Sequence, residues 1–315
     1  MILVCGEALI DLFVQGPSDG ATLPAVAAAG GSPFNLAVGL ARLGMPSGFL
    51  GGLSRDGFGD FLAARLAAEG VDTGFVRRSG RPTPLVVVSP GAEGHPHYTF
   101  HAEGCADRDL TAADLPSALG PGTEALAIGS YVLAVEPVSS ALLTLAEREG
   151  PRRVVSLDPN LRPMLVGGID RWRARFDRFL RTAAIVKLSE EDLHAAYGMG
   201  ADPAEHAARW QAAGVGLVVL TRGAAGATAF HACGRFDEPG RAVPVVDTVG
   251  AGDTFHAALL ARLRHHGRLT REGVATIDSG TLRDVLRYAA VAASITCTRR
   301  GADLPRAAEV AAALG

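Results

Sequence analysis

The chain has 315 residues, and because 48% are hydrophobic and 20% charged, its composition allows a large buried core and excludes an intrinsically disordered protein. Thirty basic residues stand against 33 acidic ones, for a formal net charge of −3. That balance argues against a nucleic-acid-binding protein, which usually carries a basic excess, so we expect no nucleic-acid partner.

The cysteines and the apolar runs indicate the cellular compartment. The four cysteines, Cys5, Cys105, Cys233 and Cys297, lie far apart without metal-binding spacing, which is typical of reduced thiols in a cytoplasm. No apolar run approaches the roughly 18 residues that are needed to span a bilayer. We therefore expect a cytoplasmic protein with no membrane partner.

Five short apolar runs are predicted to be strands. Nearly continuous aliphatic runs are typical of strands that are buried on both faces, as in a parallel sheet. The runs occupy 2–6, 124–130, 153–158, 184–189 and 216–221.

Helices are predicted between these strands. Ser32 is expected to be an N-cap ahead of Pro33, with Gly44 closing that helix, and Asp202 followed by Pro203 starts another in the same way. Strands that alternate with helices indicate a doubly wound α/β domain.

Three stretches break the alternation. Residues 12–30 and 75–104 contain prolines, glycines and strand-like pieces without helices between them, which predicts a small antiparallel sheet outside the main one. Residues 267–280 are predicted to be a polar surface loop.

The most informative segment is VVDTVGAGDTFHAALLARLRHH, residues 245–266. A strand is expected to end there, and Gly250, Ala251 and Gly252 then turn into a helix. Small residues at a helix N-terminus leave backbone N–H groups uncovered, which makes an anion site suited to a phosphate. Asp253, in the first turn, either takes a proton from a hydroxyl that attacks the phosphate or only complements the helix dipole.

A second segment, GGSPFNLAVGLARLG, covers residues 30–44. Gly30 and Gly31 allow a ligand to approach the backbone closely, and Asn35 offers an amide on the first helical turn. The alternative is an ordinary turn between a strand and a helix.

Together the two segments resemble motifs of the ribokinase-like (PfkB) family of carbohydrate kinases, and within it the bacterial fructokinases. Further matches along the chain are GEALIDL (6–12), DGFGD (56–60), ADR (106–108), DPNLRP (158–163), KLSEED (187–192), TRGAAGA (221–227) and CTRRGA (297–302). The resemblance implies a ribokinase-like fold, in which a doubly wound, mostly parallel central sheet flanked by helices carries a small β-sheet lid.

The resemblance also implies a division of the chain. Residues 1–11, 31–74 and 105–315 would form the α/β domain that binds nucleotide and substrate, and residues 12–30 and 75–104 the β lid. A homodimer formed through the lid is a further expectation.

Three histidines fall in the lid, at 95, 97 and 101, on one face of an extended strand. A lid surface over the substrate is favoured over a metal site, because no acidic or cysteine ligand accompanies them.

The resemblance assigns roles around the phosphate. Asp253 would be the base that deprotonates the sugar hydroxyl, and the backbone of Gly250, Ala251 and Gly252 would stabilise charge on the transferring γ-phosphoryl group.

Sugar contacts are implied for Asp11, Gly30, Gly31 and Asn35. Short carboxylates and amides suit a neutral polyol, which offers hydrogen-bond donors and acceptors but no charge.

The nucleotide side is implied by three motifs. In KLSEED, Lys187 replaces the family's usual asparagine and would contact ATP phosphates, while Glu190 would hold Mg²⁺ through water. Alternatively, Glu190 is ordinary acidity at a helix end. Thr221, Gly223 and Gly226 follow a strand at which family members wrap the nucleotide.

Three further residues are candidates. Arg162 would reach a phosphate or the substrate, or else pair with a surface acid. Arg108 would face the sugar or only the lid hinge. Asp247 and the turn around Gly301 match regions at which family members bind K⁺.

The function that the resemblance implies is ATP-dependent phosphorylation of a neutral sugar, with D-fructose as the best candidate and sugar and ATP as the small-molecule partners. One alternative is a 2-keto-3-deoxygluconate kinase of the same family, whose substrate carboxylate invites an arginine that residues 98–101 lack. Another is a non-catalytic sugar sensor on the same fold. A dehydrogenase is disfavoured because no GxGxxG follows the first strand.

Overall fold

The central sheet dominates the computed structural model, which describes residues 1–16, 20–90 and 96–315. Within this part of the chain it has eight strands. In spatial order they are β14 (Gly234–Glu238), β13 (Ala227–His231), β12 (Leu217–Thr221), β11 (Ile185–Ser189), β10 (Val154–Asp158), β9 (Ala125–Gly129), β1 (Ile2–Cys5) and β4 (Ser47–Leu50). All neighbours from β4 to β12 are parallel, and β13 and β14 add an antiparallel edge. The five predicted strands are therefore confirmed.

The parallel strands are apolar throughout because both faces of the sheet are covered. Along β1, Ile2 and Val4 belong to one hydrophobic core while Leu3 and Cys5 belong to the other, and all four are fully buried. A strand with only one buried face would instead alternate apolar with polar residues.

Helices form the two outer layers. The core on one face takes its helical residues from α1 (Ser32–Arg42), α2 (Gly57–Ala68), α7 (Ala251–His265), α8 (Arg271–Ala275), α9 (Ser279–Cys297) and α10 (Ala307–Leu314). The core on the other face takes them from α3 (Val138–Glu149), α4 (Ile169–Leu180), α5 (Glu190–Tyr197) and α6 (Pro203–Ala212). The doubly wound α/β prediction is confirmed.

A second, four-stranded sheet has the order β3 (Ala25–Gly30), β2 (Leu9–Val14), β7 (Leu85–Pro90) and β8 (Pro96–His101). Its outer pairs are antiparallel, but β2 and β7 are parallel, so the prediction of a purely antiparallel sheet is wrong. Two hairpin-like pairs from distant parts of the chain meet through their inner strands, which the local sequence does not encode. β5 (Gly52–Ser54) and β6 (Arg77–Ser79) form a separate parallel pair.

Three local predictions need correction. Gly31, not Ser32, is the N-cap of α1, since the Ser32 hydroxyl bonds elsewhere. Residues 267–280 are not a plain surface loop: they include α8, whose Val274 is fully buried. No strand precedes α7, because residues 241–247 run without strand pairing. Among the helices in the described ranges, none is both long and apolar enough to cross a membrane.

Candidate active site

The predicted site residues gather at the carboxyl edge of the central sheet. Parallel strands all end at the same edge, which is where ligands bind in open α/β sheets. β10 ends there at Asp158, β11 at Ser189 and β12 at Thr221. The N-terminus of α7 brings Asp253 to the same edge, close to Lys187 of β11.

Asp253 is held by two side chains of α1. The Ser32 hydroxyl donates to its Oδ1 at 2.6 Å, and the Asn35 amide donates to its Oδ2 at 2.8 Å. Burial raises the pKa of Asp253 above its ordinary value, although these two hydrogen bonds oppose that shift. Both donors suit the ionised carboxylate, so Asp253 is oriented as an acceptor for a proton.

The turn ahead of Asp253 has the conformation of an anion site. Gly250 is the N-cap of α7 in the left-handed region, with φ 78°, and a Cβ there would lie 2.8 Å from the Cβ of Ala302. The N–H of Ala251 already donates to the carbonyl of Thr248 at 3.2 Å. Within the described part of the chain nothing accepts the N–H of Gly250 or that of Gly252. Of the three predicted glycine-turn amides, these two are therefore open to an anion, and that of Ala251 is not.

Lys187 lies directly below this turn. A Cβ built on Gly252 would be 3.2 Å from the Lys187 ammonium, which forms an ion pair of 2.7 Å with Asp158. Both side chains are about 5% exposed. Burial alone would lower the pKa of Lys187, but the neighbouring carboxylates, Asp158 foremost, leave that pKa above its ordinary value. The ammonium is therefore a fixed positive charge beside the N-terminus of α7.

The predicted sugar contacts lie next to this assembly. A Cβ on Gly30 would overlap the carboxylate of Asp11, and one on Gly31, with φ 103°, would lie 2.9 Å from the carbonyl of Glu7. Packing alone therefore favours glycine at both positions, whether or not a ligand approaches them. Burial raises the pKa of Asp11 to about 6, the charge of Arg162 opposes the rise, and that of Asp253 adds to it.

The two candidate arginines differ in position. Arg162 donates to the carbonyls of Asn160 and Leu161 at 3.3 and 3.1 Å, and the described residues give it no ion pair with an acid. Its charge acts on Asp11, which places it near the sugar side. Arg108 packs over the ring of Tyr131, with its Nε 3.9 Å from Asp107.

The predicted nucleotide residues lie at the start of α5 and in the turn that joins β12 to β13. Glu190 begins α5 and is partly exposed, and Thr221 ends β12, with its hydroxyl 3.4 Å from the carbonyl of Leu188. Gly223 follows on the surface. Gly226 has φ 92°, and a Cβ there would overlap the carbonyl of Glu238, so this glycine is required by local packing.

Asp247 ties together two segments near α7. Its Oδ1 accepts the N–H of Val249 at 3.0 Å and its Oδ2 accepts the N–H of Gly301 at 2.8 Å. The carboxylate therefore shapes the two turns whose backbone carbonyls a monovalent cation would need.

His97 and His101, the histidines of β8, do not belong to a cluster of metal ligands in the described ranges. His97 and His101 are exposed on β8, and His95 lies outside the described residues. In the ranges that the structure describes, no group of three or more potential ligands among histidine, cysteine and acidic residues is close enough to hold a metal ion.

Three residues of the site were missed by the sequence interpretation. Ser32 was expected to cap a helix but holds Asp253, and Asp158, although part of the DPNLRP motif, was not singled out as the partner of Lys187. The composition did draw attention to this ion pair, because Lys187 is the only lysine in the chain. Glu7 is 1% exposed, and burial raises its pKa to about 8. It lies in the GEALIDL motif, but the sequence interpretation gave it no role.

Comparisons with known proteins give one family. The family described as "pfkB family carbohydrate kinase" matches residues 1–308. A fructokinase from Rhizobium leguminosarum bv. trifolii is 40% identical over 284 residues, which cover 90% of this chain and 86% of that protein.

Solved structures of fructokinases share the fold. The fructokinase of Xylella fastidiosa with bound ATP superposes with a TM-score of 0.91 at 28% identity, covering 99% of this chain and 97% of that one. A double mutant of the Vibrio cholerae O395 fructokinase, in a form with bound fructose, ADP and potassium ion, gives 0.84 at 30% identity over 100% and 98% of the two chains.

Proposed function

The chain belongs to the pfkB family of carbohydrate kinases, and from this premise we propose that it is an ATP-dependent fructokinase, which transfers the γ-phosphoryl group of ATP to a hydroxyl of D-fructose. The observation that carries the proposal is the placement of Asp253. Its carboxylate is oriented by Ser32 and Asn35 at the N-terminal turn of α7, where an anion would bind.

Asp253 is the proposed base. As the fructose oxygen forms its bond to the γ-phosphorus and the bond from that phosphorus to the β,γ-bridging oxygen breaks, the hydroxyl proton passes to Asp253 Oδ. ADP leaves with the bridging oxygen and its electron pair. Positioned proton transfer of this kind contributes typically ~10²–10⁴-fold to a rate.

Charge on the transferring group is stabilised from two sides. The N–H of Gly252 and the dipole of α7 face the anion from the helix, and the Lys187 ammonium adds a full positive charge from β11. Donors that are fixed before the reaction are worth more than mobile water, since they need no reorganisation when charge develops.

The sugar side favours a neutral acceptor. Asp11 and Asn35 offer hydrogen-bonding groups beside Gly30 and Gly31, and Asp11 and Asp253 together give this side negative charge. A carboxylated sugar would need a cation to offset that charge, and Arg162 is the one placed to act on Asp11.

Metal ions have candidate residues of suitable chemistry. Glu190 is a partly exposed carboxylate without an ion pair among the described residues, and it would hold Mg²⁺ through water, as this ion dehydrates reluctantly. Mg²⁺, when bound, would neutralise charge on the ATP phosphates. K⁺ would lie by the turns that Asp247 joins, and the Vibrio cholerae relative was solved with potassium ion. Thr221, Gly223 and Gly226 would line the nucleotide.

The four-stranded sheet of β2, β3, β7 and β8 is proposed as the lid, carried by the α/β domain. Compared with the expected lid ranges 12–30 and 75–104, this sheet begins earlier, at Leu9, and it excludes β6, which pairs with β5. Its outer strand β3 has exposed residues, Val26 among them at 47% exposure. An exposed edge strand offers unpaired backbone groups to another chain, which supports a homodimer formed through the lid.

A coupled ADP-release assay over a panel of sugars tests the assignment. With saturating Mg·ATP, kcat/KM for D-fructose should exceed that for 2-keto-3-deoxygluconate by at least ~10²-fold, the scale on which a site built for hydroxyls rejects a mismatched substrate. A preference for the acid sugar would overturn the choice of fructose and point to Arg162 or Arg108 as the carboxylate's partner. Binding without turnover of any sugar would favour the sensor alternative.

A further inference from the structure

The only lysine of the chain is also one of its most buried charges. Arginine occurs 29 times and lysine once, at position 187, where the side chain is 5% exposed. The two residues are not equivalent, because an ammonium is a compact point charge and a guanidinium is a broad planar fork. The position of Lys187, close below Gly252, suits the compact group.

The surroundings of Lys187 contain three carboxylates and one imidazole. Asp158 of β10 forms the direct ion pair, while Asp253 of α7 and Asp192 of α5 act on the ammonium from further away. His256 of α7 also lies near Asp158, with its Nδ1 3.8 Å from Oδ2, the oxygen that pairs with Lys187. Burial and the charge of Lys187 lower the pKa of His256 to about 3, so this imidazole is neutral and does not compete for Asp158.

The two carboxylate oxygens of Asp158 have different surroundings. Its Oδ2 takes the ammonium, and its Oδ1 is buried with no hydrogen-bond partner among the described residues. A small cavity of about 10 Å³ has Asp158, Ser32 and His256 as its polar lining residues. His256 is itself anchored, with its Nε2 2.7 Å from the hydroxyl of Ser156. The hydrogen bond from Lys187 is therefore the one that the described side chains give to this carboxylate.

A buried ion pair is a poor source of stability, because desolvation of the two charges offsets much of their attraction. We propose that Asp158 is a positioning residue for phosphoryl transfer: its carboxylate keeps the ammonium of Lys187 charged and fixed below Gly252, where it serves the anion-binding turn of α7. This inference rests on the proposed kinase function. Asp158 touches no substrate and acts through Lys187.

The single lysine allows a direct test. In protein labelled with [¹³C,¹⁵N]lysine, the one side-chain signal belongs to Lys187 without assignment. The wild-type ¹³Cε shift should stay that of a charged ammonium from pH 6 to 9. In Asp158→Asn the ammonium loses its counter-ion, burial then disfavours the charge, and the signal should titrate within this range.

Kinetics of the same variant should follow the titration. For Asp158→Asn we expect kcat to fall ~10²-fold at pH 8 and to recover in part at pH 6, where Lys187 regains its proton, with KM for the sugar within ~3-fold of wild type. The matched control is His256→Gln, which changes the other neighbour of this carboxylate without changing the charge, and its lysine signal should not titrate.

Two results would overturn the proposal: an Asp158→Asn lysine that stays charged to pH 9, or a kcat for that variant within a few-fold of wild type at all pH values. If the variant does not fold, acylation of the wild type decides. Acetic anhydride at pH 8 should modify Lys187 at least ~10²-fold more slowly than the ε-amine of free Nα-acetyllysine, and comparable rates would contradict a fixed, ion-paired ammonium. The titration and the acylation involve no substrate, so they stand even if fructose is not the acceptor.

Discussion

The two ends of the candidate active site differ in how far their side chains engage one another. At the N-terminal turn of α7, Ser32 and Asn35 hold Asp253, and Asp158 holds Lys187 below it. At the nucleotide end, Glu190 starts α5, and the turn after β12 carries Gly223 and Gly226, which contact each other only through the backbone: the Gly226 N–H donates to the carbonyl of Gly223 at 3.0 Å. The proposed base and the Lys187 ammonium are thus held in place by other side chains, which is the arrangement that electrostatic catalysis requires. The residues proposed for the nucleotide, Glu190, Thr221, Gly223 and Gly226, are partly or fully exposed.

The largest effect should come from replacing Asp253, the proposed base. Asp253→Asn keeps the size of the side chain but replaces one of its two acceptor oxygens with a donor and cannot take the proton, so kcat should fall ~10²–10⁴-fold with sugar binding nearly unchanged. Steady-state kinetics with fructose and Mg·ATP measures the loss. Asp60→Asn is the control, because Asp60 lies in the first turn of α2 and tests a mere effect on a helix dipole. Turnover of Asp253→Asn within a few-fold of wild type would show that Asp253 is not the base.

A substitution at the nucleotide end should change KM for Mg·ATP. Glu190→Gln removes a carboxylate that would hold Mg²⁺, so KM for Mg·ATP should rise roughly 10-fold while KM for fructose stays within ~2-fold. Titration of ATP at fixed fructose, and the reverse, separates the two constants. Glu191→Gln alters the exposed next residue of the same helix and should change neither. Equal effects of the two variants would leave Glu190 with no special role.

A smaller, structural effect is expected from Glu7, which is buried behind the sugar end. Because burial raises its pKa to about 8, the native protein binds this proton more tightly than the unfolded chain does. The stability that this proton contributes is fully present below the ordinary pKa of about 4.5 and is lost as pH rises towards 8.

Urea unfolding at pH 6, 7 and 8 checks this prediction. The Glu7 contribution to the free energy of unfolding should fall by up to about 1.4 kcal/mol per pH unit, so the slope in wild type should lie below that in Glu7→Gln by this amount. His256, whose pKa burial lowers to about 3, adds an opposite slope near pH 6 in both proteins. Asp11, whose pKa burial raises to about 6, contributes only near the lower end of that range. Identical slopes in the two proteins would show that Glu7 titrates normally.

The sequence predicted those features that depend on local patterns. Apolar runs are sufficient to identify parallel strands, and a glycine turn is sufficient to predict the start of α7, with Asp253 in its first turn. The parallel pairing of β2 with β7 depends on contacts between distant segments, so a local pattern suggested an antiparallel sheet instead. The ion pair of Asp158 with Lys187 joins positions 29 residues apart on neighbouring strands, and only the register of β10 against β11 brings them together.

The most direct test of the proposed fructokinase activity is to identify the product. Purified protein mixed with ATP, Mg²⁺ and D-fructose should be followed by ³¹P NMR. If the protein is a fructokinase, the γ-phosphate signal of ATP declines while ADP and a new sugar phosphomonoester signal grow in equal amounts, and omitting fructose stops the reaction. ADP accompanied only by inorganic phosphate, or no consumption of ATP, would contradict it.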